Sequence, residues 1–156
     1  MALVPRVLMS YEGTVDLREG MFFLSCFGTT VPADLLAAVT VHGAATNKAT
    51  AGFASPSRFQ DALPVSVEHW DSAPAPAGEW NRVLTTHVCL DTSGELEFFS
   101  GGRVGFEFPV ARGWYVVEGS VASDGDGADR WRVRLWHAEE SGPDSAEISR
   151  LSRFAR

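Results

Sequence analysis

The stretch "ASDGDGADRW", residues 122 to 131, sets Asp124, Asp126 and Asp129 among two glycines. Closely spaced carboxylates of this kind are the raw material of a calcium site. Calcium needs about six to eight oxygen ligands, and a helix-flanked calcium loop takes acidic residues at its first, third and fifth positions and a Glu at its twelfth. Counted from Asp124, the fifth and twelfth positions are Ala128 and Leu135, so that pattern fails. The metal reading that survives is a β-sandwich whose loop tips pool aspartates from several turns. The next turn to recruit is "DTSGE" with Asp91, which simple up-and-down hairpins place at the opposite end of the sandwich. Asp and Gly are also the residues that tight turns use to reach positive φ. A hairpin loop is therefore expected here, with Asp124, Asp126 and Asp129 as the calcium candidates and no metal or other cofactor required.

Other reactive side chains are scattered. His42, His69, His87 and His137 form no close pair in sequence, and Cys26 and Cys89 lack metal-ligand spacing, so zinc is not indicated. His87 stands two residues before Cys89 on one side of an expected strand. A thiol beside an imidazole is the arrangement of nucleophilic catalysis, and it is equally the arrangement of two neighbours on a sheet face. "SGGRVG", residues 100 to 105, has no Lys-Ser/Thr following it and reads as a bend, not a phosphate loop. Glu95, Glu97, Glu107 and Glu118 alternate with apolar residues and are expected to face solvent, which leaves no acid-base pair. The five tryptophans suit either a core or a sugar-stacking platform.

The elements that must carry these residues read as short strands. "RVLMSYEGTVDL" and "MFFLSCF" suggest an opening hairpin turning at Arg18 to Gly20, and "VPADLLAAV" a short helix near residues 32–39, begun at Pro32. "TVHGA" is expected to hold a strand. "LPVSVEHW" alternates strictly and reads as a strand with one apolar face. "DSAPAPAGE" is a proline-rich connector, and "WNRVLTTHVCL" with "LEFF" reads as a second hairpin. "RVGFEFPV", "GWYVVEGSVA" and "RWRVRLWHA" add three strands. The expectation is an all-β, two-sheet antiparallel β-sandwich of about eight or nine strands with at most that one helix, forming a single domain over residues 1–156.

Pairing the last two strands so that Val121 faces Trp131 sets Val117 opposite Leu135 and Tyr115 opposite His137 on a core face. The other face then carries Glu118 opposite Arg134, Ser120 beside Arg132, and Val116 near Trp136. Arg and Trp are enriched at protein interfaces, so Arg132, Arg134, Trp136 and Glu118 are the partner-binding candidates, with a merely covered or solvated face as the equal alternative. As a surface ion pair, Glu118 and Arg134 are expected to contribute only about 0.2 to 1 kcal/mol.

Charge bounds the partner. Residues 1–129 carry 16 acidic and 7 basic side chains, and residues 130–156 carry 4 acidic and 6 basic, for a net charge of −7. An acidic body repels nucleic acid, which is bound by Lys and Arg neutralising phosphates, so direct nucleic-acid binding is not expected; the charge would attract a basic protein partner, and it is foremost what solubility alone requires. No leader sequence is legible in "MALVPRVLMS", and no apolar run reaches the roughly 20 residues that span a bilayer. Two cysteines without an export signal are expected as reduced thiols, and the chain is expected in the cytoplasm with no membrane association.

Three segments, "MSYEGTVDL", "FEFPVARGWYVV" and the closing "RVRLWHA", resemble the competence protein J family over about residues 7 to 148. That family comprises small β-sandwich proteins that inhibit a DNA-entry nuclease. The resemblance implies a non-enzymatic protein that occludes the active site of a partner, and it brings no catalytic or binding residue with it. The leading expectation is accordingly a soluble inhibitor or immunity-type binding protein. A calcium- or carbohydrate-binding β-sandwich module is the alternative. A small enzyme whose site assembles from distant strands comes third.

Overall fold

A computed structural model describes residues 4–25, 31–47, 50–57, 59–76, 78–90, 95–111, 113–123 and 128–138. In chain order the elements are β1 (Val7–Leu17), β2 (Met21–Ser25), α1 (Ala33–His42), β3 (Ala44–Asn47), β4 (Thr50–Ala54), β5 (Gln60–Trp70), β6 (Asn81–Leu90), β7 (Glu95–Ser100), β8 (Arg103–Pro109), β9 (Gly113–Ser123) and β10 (Asp129–His137). They form two five-stranded sheets. Sheet I has the order β1-β5-β10-β9-β6 and sheet II the order β3-β4-β2-β7-β8. The expected sandwich is present, and every pairing is antiparallel except one, the parallel alignment of β10 on β5.

Alternation in sequence becomes two-facedness in the sheet. In β5, Leu63, Val65 and Val67 are buried, and in β10 Trp131, Val133 and Leu135 join them. Across the sandwich they meet Phe22, Leu24, Phe53, Leu96, Phe98 and Phe108 of sheet II. Trp131 stands edge-on to Phe22 with ring centroids 5.0 Å apart. Its indole N–H donates to the Ser55 hydroxyl (2.9 Å), so the one polar atom of the largest core side chain is satisfied. Glycine is required at Gly119, where a Cβ would lie 2.3 Å from Phe53.

Helix α1 packs Leu35, Ala38 and Val39 on Phe23, Ala45 and Phe99, covering the outward face of sheet II. It ends later than expected. The stretch "TVHGA" is helical through His42, and Gly43 (φ 81°) closes the helix by donating its N–H to the Val39 carbonyl. The one strand expected near that stretch is β3, which starts at its last residue, Ala44; β4 was not anticipated, because its Ala, Thr and Gly residues are buried without an alternating pattern.

Both expected hairpins are corrected. The chain does turn at Arg18 to Gly20, but β1 belongs to sheet I and β2 to sheet II, with a single bridge between Arg18 and Met21. Likewise β6 pairs with β9 while β7 pairs with β2 and β8, so each connection crosses between sheets. The "SGGRVG" segment is the bend expected: Gly101 (φ 59°) and Gly102 (φ 78°) join β7 to β8 in a tight turn.

Candidate functional site

The β9–β10 ladder has the register read from the sequence: Trp131 opposite Val121, Leu135 opposite Val117 and His137 opposite Tyr115. Arg130, Arg132, Arg134 and Trp136 therefore fall on the outer face of sheet I, as do Ser66, Glu68 and Trp70 of β5, which the parallel register brings alongside. That face is not simply solvated. Ala75 and Trp80 of the connector lie over it: Arg134 donates through Nη1 to the Ala75 carbonyl at 2.9 Å, and the Trp80 ring meets Arg130 and Arg132.

The expected surface ion pair is consequently a buried one. Arg134 reaches Oε1 of Glu118 through Nε at 2.8 Å and Nη2 at 2.6 Å, with side chains only 4% and 10% exposed. Trp70 flanks Arg134, its ring centre 6.0 Å from the guanidinium, and donates its own N–H to Glu68. Trp80, at the far end of the connector, takes Arg130 and Arg132 over its ring at 4.8 and 5.0 Å. Arg132 is half-buried, and its Nε is shut off from water with no acceptor among the described residues. Burial first, then the charge of Arg134, holds its guanidinium below the ordinary value, while Glu68, Glu118 and Glu79 oppose that shift.

Toward β1 the face is open. Pro64 has no N–H to offer a ladder, and pairing between β5 and β10 begins one residue later, at Val65. A groove of about 350 Å³ opens there between Glu12 and Thr14 of β1, Pro64 and Ser66 of β5, and Trp80 with Arg130. Its mixture of one carboxylate, one guanidinium, an indole and two hydroxyls suits a polar protein surface.

Of the calcium candidates, Asp124 and Asp126 lie outside the described residues. Asp129 is buried and fully engaged, its carboxylate accepting hydrogen bonds from the hydroxyls of Ser55, Ser57 and Ser123 and from the Ser57 N–H. Gln60 clasps its backbone from both sides. Burial pushes this carboxyl up, but the hydrogen bonds from Ser123, Ser55 and Ser57 outweigh it and leave the group below the usual carboxylate range. Asp129 thus ties the 55–60 segment to the start of β10. Among the described residues no three His, Cys, Asp or Glu side chains gather around a common point.

One cluster was missed. His69, Tyr115 and His137 meet where β5 and β10 end and β9 begins, with the two imidazole centroids 5.8 Å apart. The Tyr115 hydroxyl donates to the Ala111 carbonyl at 2.6 Å and lies 3.1 Å from Nε2 of His137. The β9–β10 register already put Tyr115 opposite His137, and only the parallel alignment of β5 was lacking to add His69. The side chains of His87 and Cys89, and all of Cys26, lie outside the described residues, as do the thiol-imidazole pair and the redox state expected of them.

No helix among the described residues is long and apolar enough to cross a membrane. No protein-family model and no curated protein matches the chain. Among solved structures the chain is similar to the crystal structure of ComJ, inhibitor of the DNA degrading activity of NucA, from Bacillus subtilis. The two share 11% sequence identity and a TM-score of 0.61, over 87% of this chain and 100% of that one. At that identity the likeness establishes a common fold.

Proposed function

We propose that this chain is a non-enzymatic binding protein of the inhibitor type, which covers the active site of a DNA-degrading nuclease. One observation carries this reading: the sandwich reproduces the whole of a chain known as a nuclease inhibitor. The charge balance supports it, because a body with 16 acidic against 7 basic residues over positions 1–129 is drawn to a basic protein and repelled by DNA. The same reading places the protein in the cytoplasm, free of cofactors.

The contact surface in this proposal is the open groove side of the outer face of sheet I. Arg130 and Trp80 supply the Arg and Trp character that concentrates binding energy, while Glu118 and Arg134 hold the scaffold beneath. Binding of the purified chain to a DNA-degrading nuclease of the NucA type, followed by titration calorimetry, tests the assignment. Arg130→Ala is expected to weaken binding at least about tenfold, a loss of about 1.4 kcal/mol, with melting unchanged. Full-strength binding by that variant would remove the groove from the account.

A further inference from the structure

β1 is the terminal strand of sheet I, and among the described residues no strand pairs with its outer edge. Sheet II leans against the second half of β1, where Gly105 lies on the Thr14 carbonyl and Phe106 on Gly13. The first half is more open among the described residues, with only the Tyr11 ring resting on sheet II, stacked on Phe106 (5.6 Å) and edge-on to Phe108 (6.4 Å). Val7, Leu8, Met9 and Tyr11 are 43%, 57%, 46% and 45% exposed, and from Val7 to Tyr11 the sequence VLMSY contains neither a charge nor a proline. Natural edge strands are ordinarily protected by such residues. The one protective feature here is an irregularity that leaves Leu8 without a partner on β5.

We propose that the occupant of this edge is the same segment of a second copy, paired antiparallel across a two-fold axis through Met9. The charges select that register. With Met9 opposite Met9, Val7 faces Tyr11, Leu8 faces Ser10, and Arg6 faces Glu12, so an opposite-charge pair forms twice. Pro5 then falls opposite Gly13 and ends the ladder, since it has no N–H to give, and it does so where Phe106 lies closest on β1. Arg6 is already held in line with the strand: its N–H donates to Asp71 (2.8 Å) and its carbonyl accepts from the Asp71 N–H (3.0 Å), while its guanidinium, 79% exposed, makes only a long contact with the Asp71 carboxylate (3.5 Å) and keeps its other N–H groups in solvent. The paired copies share one continuous sheet through a self-complementary interface.

Sedimentation velocity of the full chain, with its concentration varied, tests this. The expected species is twice the chain mass. Met9→Lys sets two ammonium groups against each other across the axis and should give a monomer with an unchanged melting temperature. Leu8→Lys, at a position without a partner on β5, provides the same reading should Met9→Lys fail to fold. Glu12→Arg should weaken the dimer about tenfold by placing like charges opposite, and adding Arg6→Glu should restore it. A monomer at high micromolar concentration overturns the proposal, as does a dimer that survives both lysine variants or ignores the charge exchange. The outcome is independent of nuclease binding.

Discussion

Arg134→Ala offers a sharp test of the covered outer face. The substitution deletes both N–H groups that reach Glu118 at 2.8 and 2.6 Å and the one that satisfies the Ala75 carbonyl. It leaves a carboxylate 10% exposed that has lost its hydrogen-bonded partner, with Arg132 as the remaining cation nearby. Breaking a buried pair from one side costs about 3 to 5 kcal/mol, because the surviving charge stays desolvated. In a chain of this length each kcal/mol moves the midpoint by roughly 2 to 4 °C, so melting should fall by on the order of 6 to 20 °C. Replacing both partners, Glu118→Leu with Arg134→Met, should recover most of that loss, since apolar side chains of similar volume carry no desolvation penalty. Circular-dichroism melts of the two single variants and the double complete a mutant cycle. A single-variant loss within about 0.5 kcal/mol, the ordinary range for a surface change, would refute the buried-pair account and return the face to solvent.

Gly119→Ala should lower stability by about 1 to 3 kcal/mol or more in a urea titration, because the new methyl group collides with Phe53, itself fully buried between Phe22 and Trp131. His69 is held below its ordinary value of 6.5 by burial and then by His137. The unfolded chain therefore takes up a proton that the folded chain refuses. Stability should be full above about pH 6.5 and decline as pH falls below it, with a shallower decline in His69→Gln. Melting should be the same in millimolar calcium and in chelator, whereas even a site with a Kd of about 10⁻⁵ M would add roughly 2.7 kcal/mol. A calcium-dependent rise would restore the metal reading of Asp124 and Asp126.

Local pattern carried much of the fold. Strict alternation identified β5, β9 and β10, and the placement of Val121 opposite Trp131 predicted the whole β9–β10 register. What alternation cannot convey is which sheet a strand joins. Arg18–Gly20 reads the same whether the chain returns beside itself or crosses to the other layer, and β6 and β7 were mispaired for that reason. The parallel alignment of β5 with β10 joins segments far apart in sequence, so neither the His69–His137 contact nor the Glu68, Trp70 and Arg134 grouping was legible. Arg134 was placed on the correct face but in the wrong medium, because the burial of that face comes from the proline-rich connector and not from either strand. Asp129 shows the same limit. Its three serine partners lie at positions 55, 57 and 123, and a loop rich in Asp and Gly gives no sign of them.

The most direct measurement of the functional proposal is DNA degradation by a nuclease of the NucA type, titrated with the purified chain. The account predicts a linear fall in activity that reaches zero near one equivalent of chain per nuclease active site, no degradation by the chain alone, and undiminished inhibition when the DNA concentration is kept low. Nuclease activity that stays constant through a large excess of folded chain would contradict it.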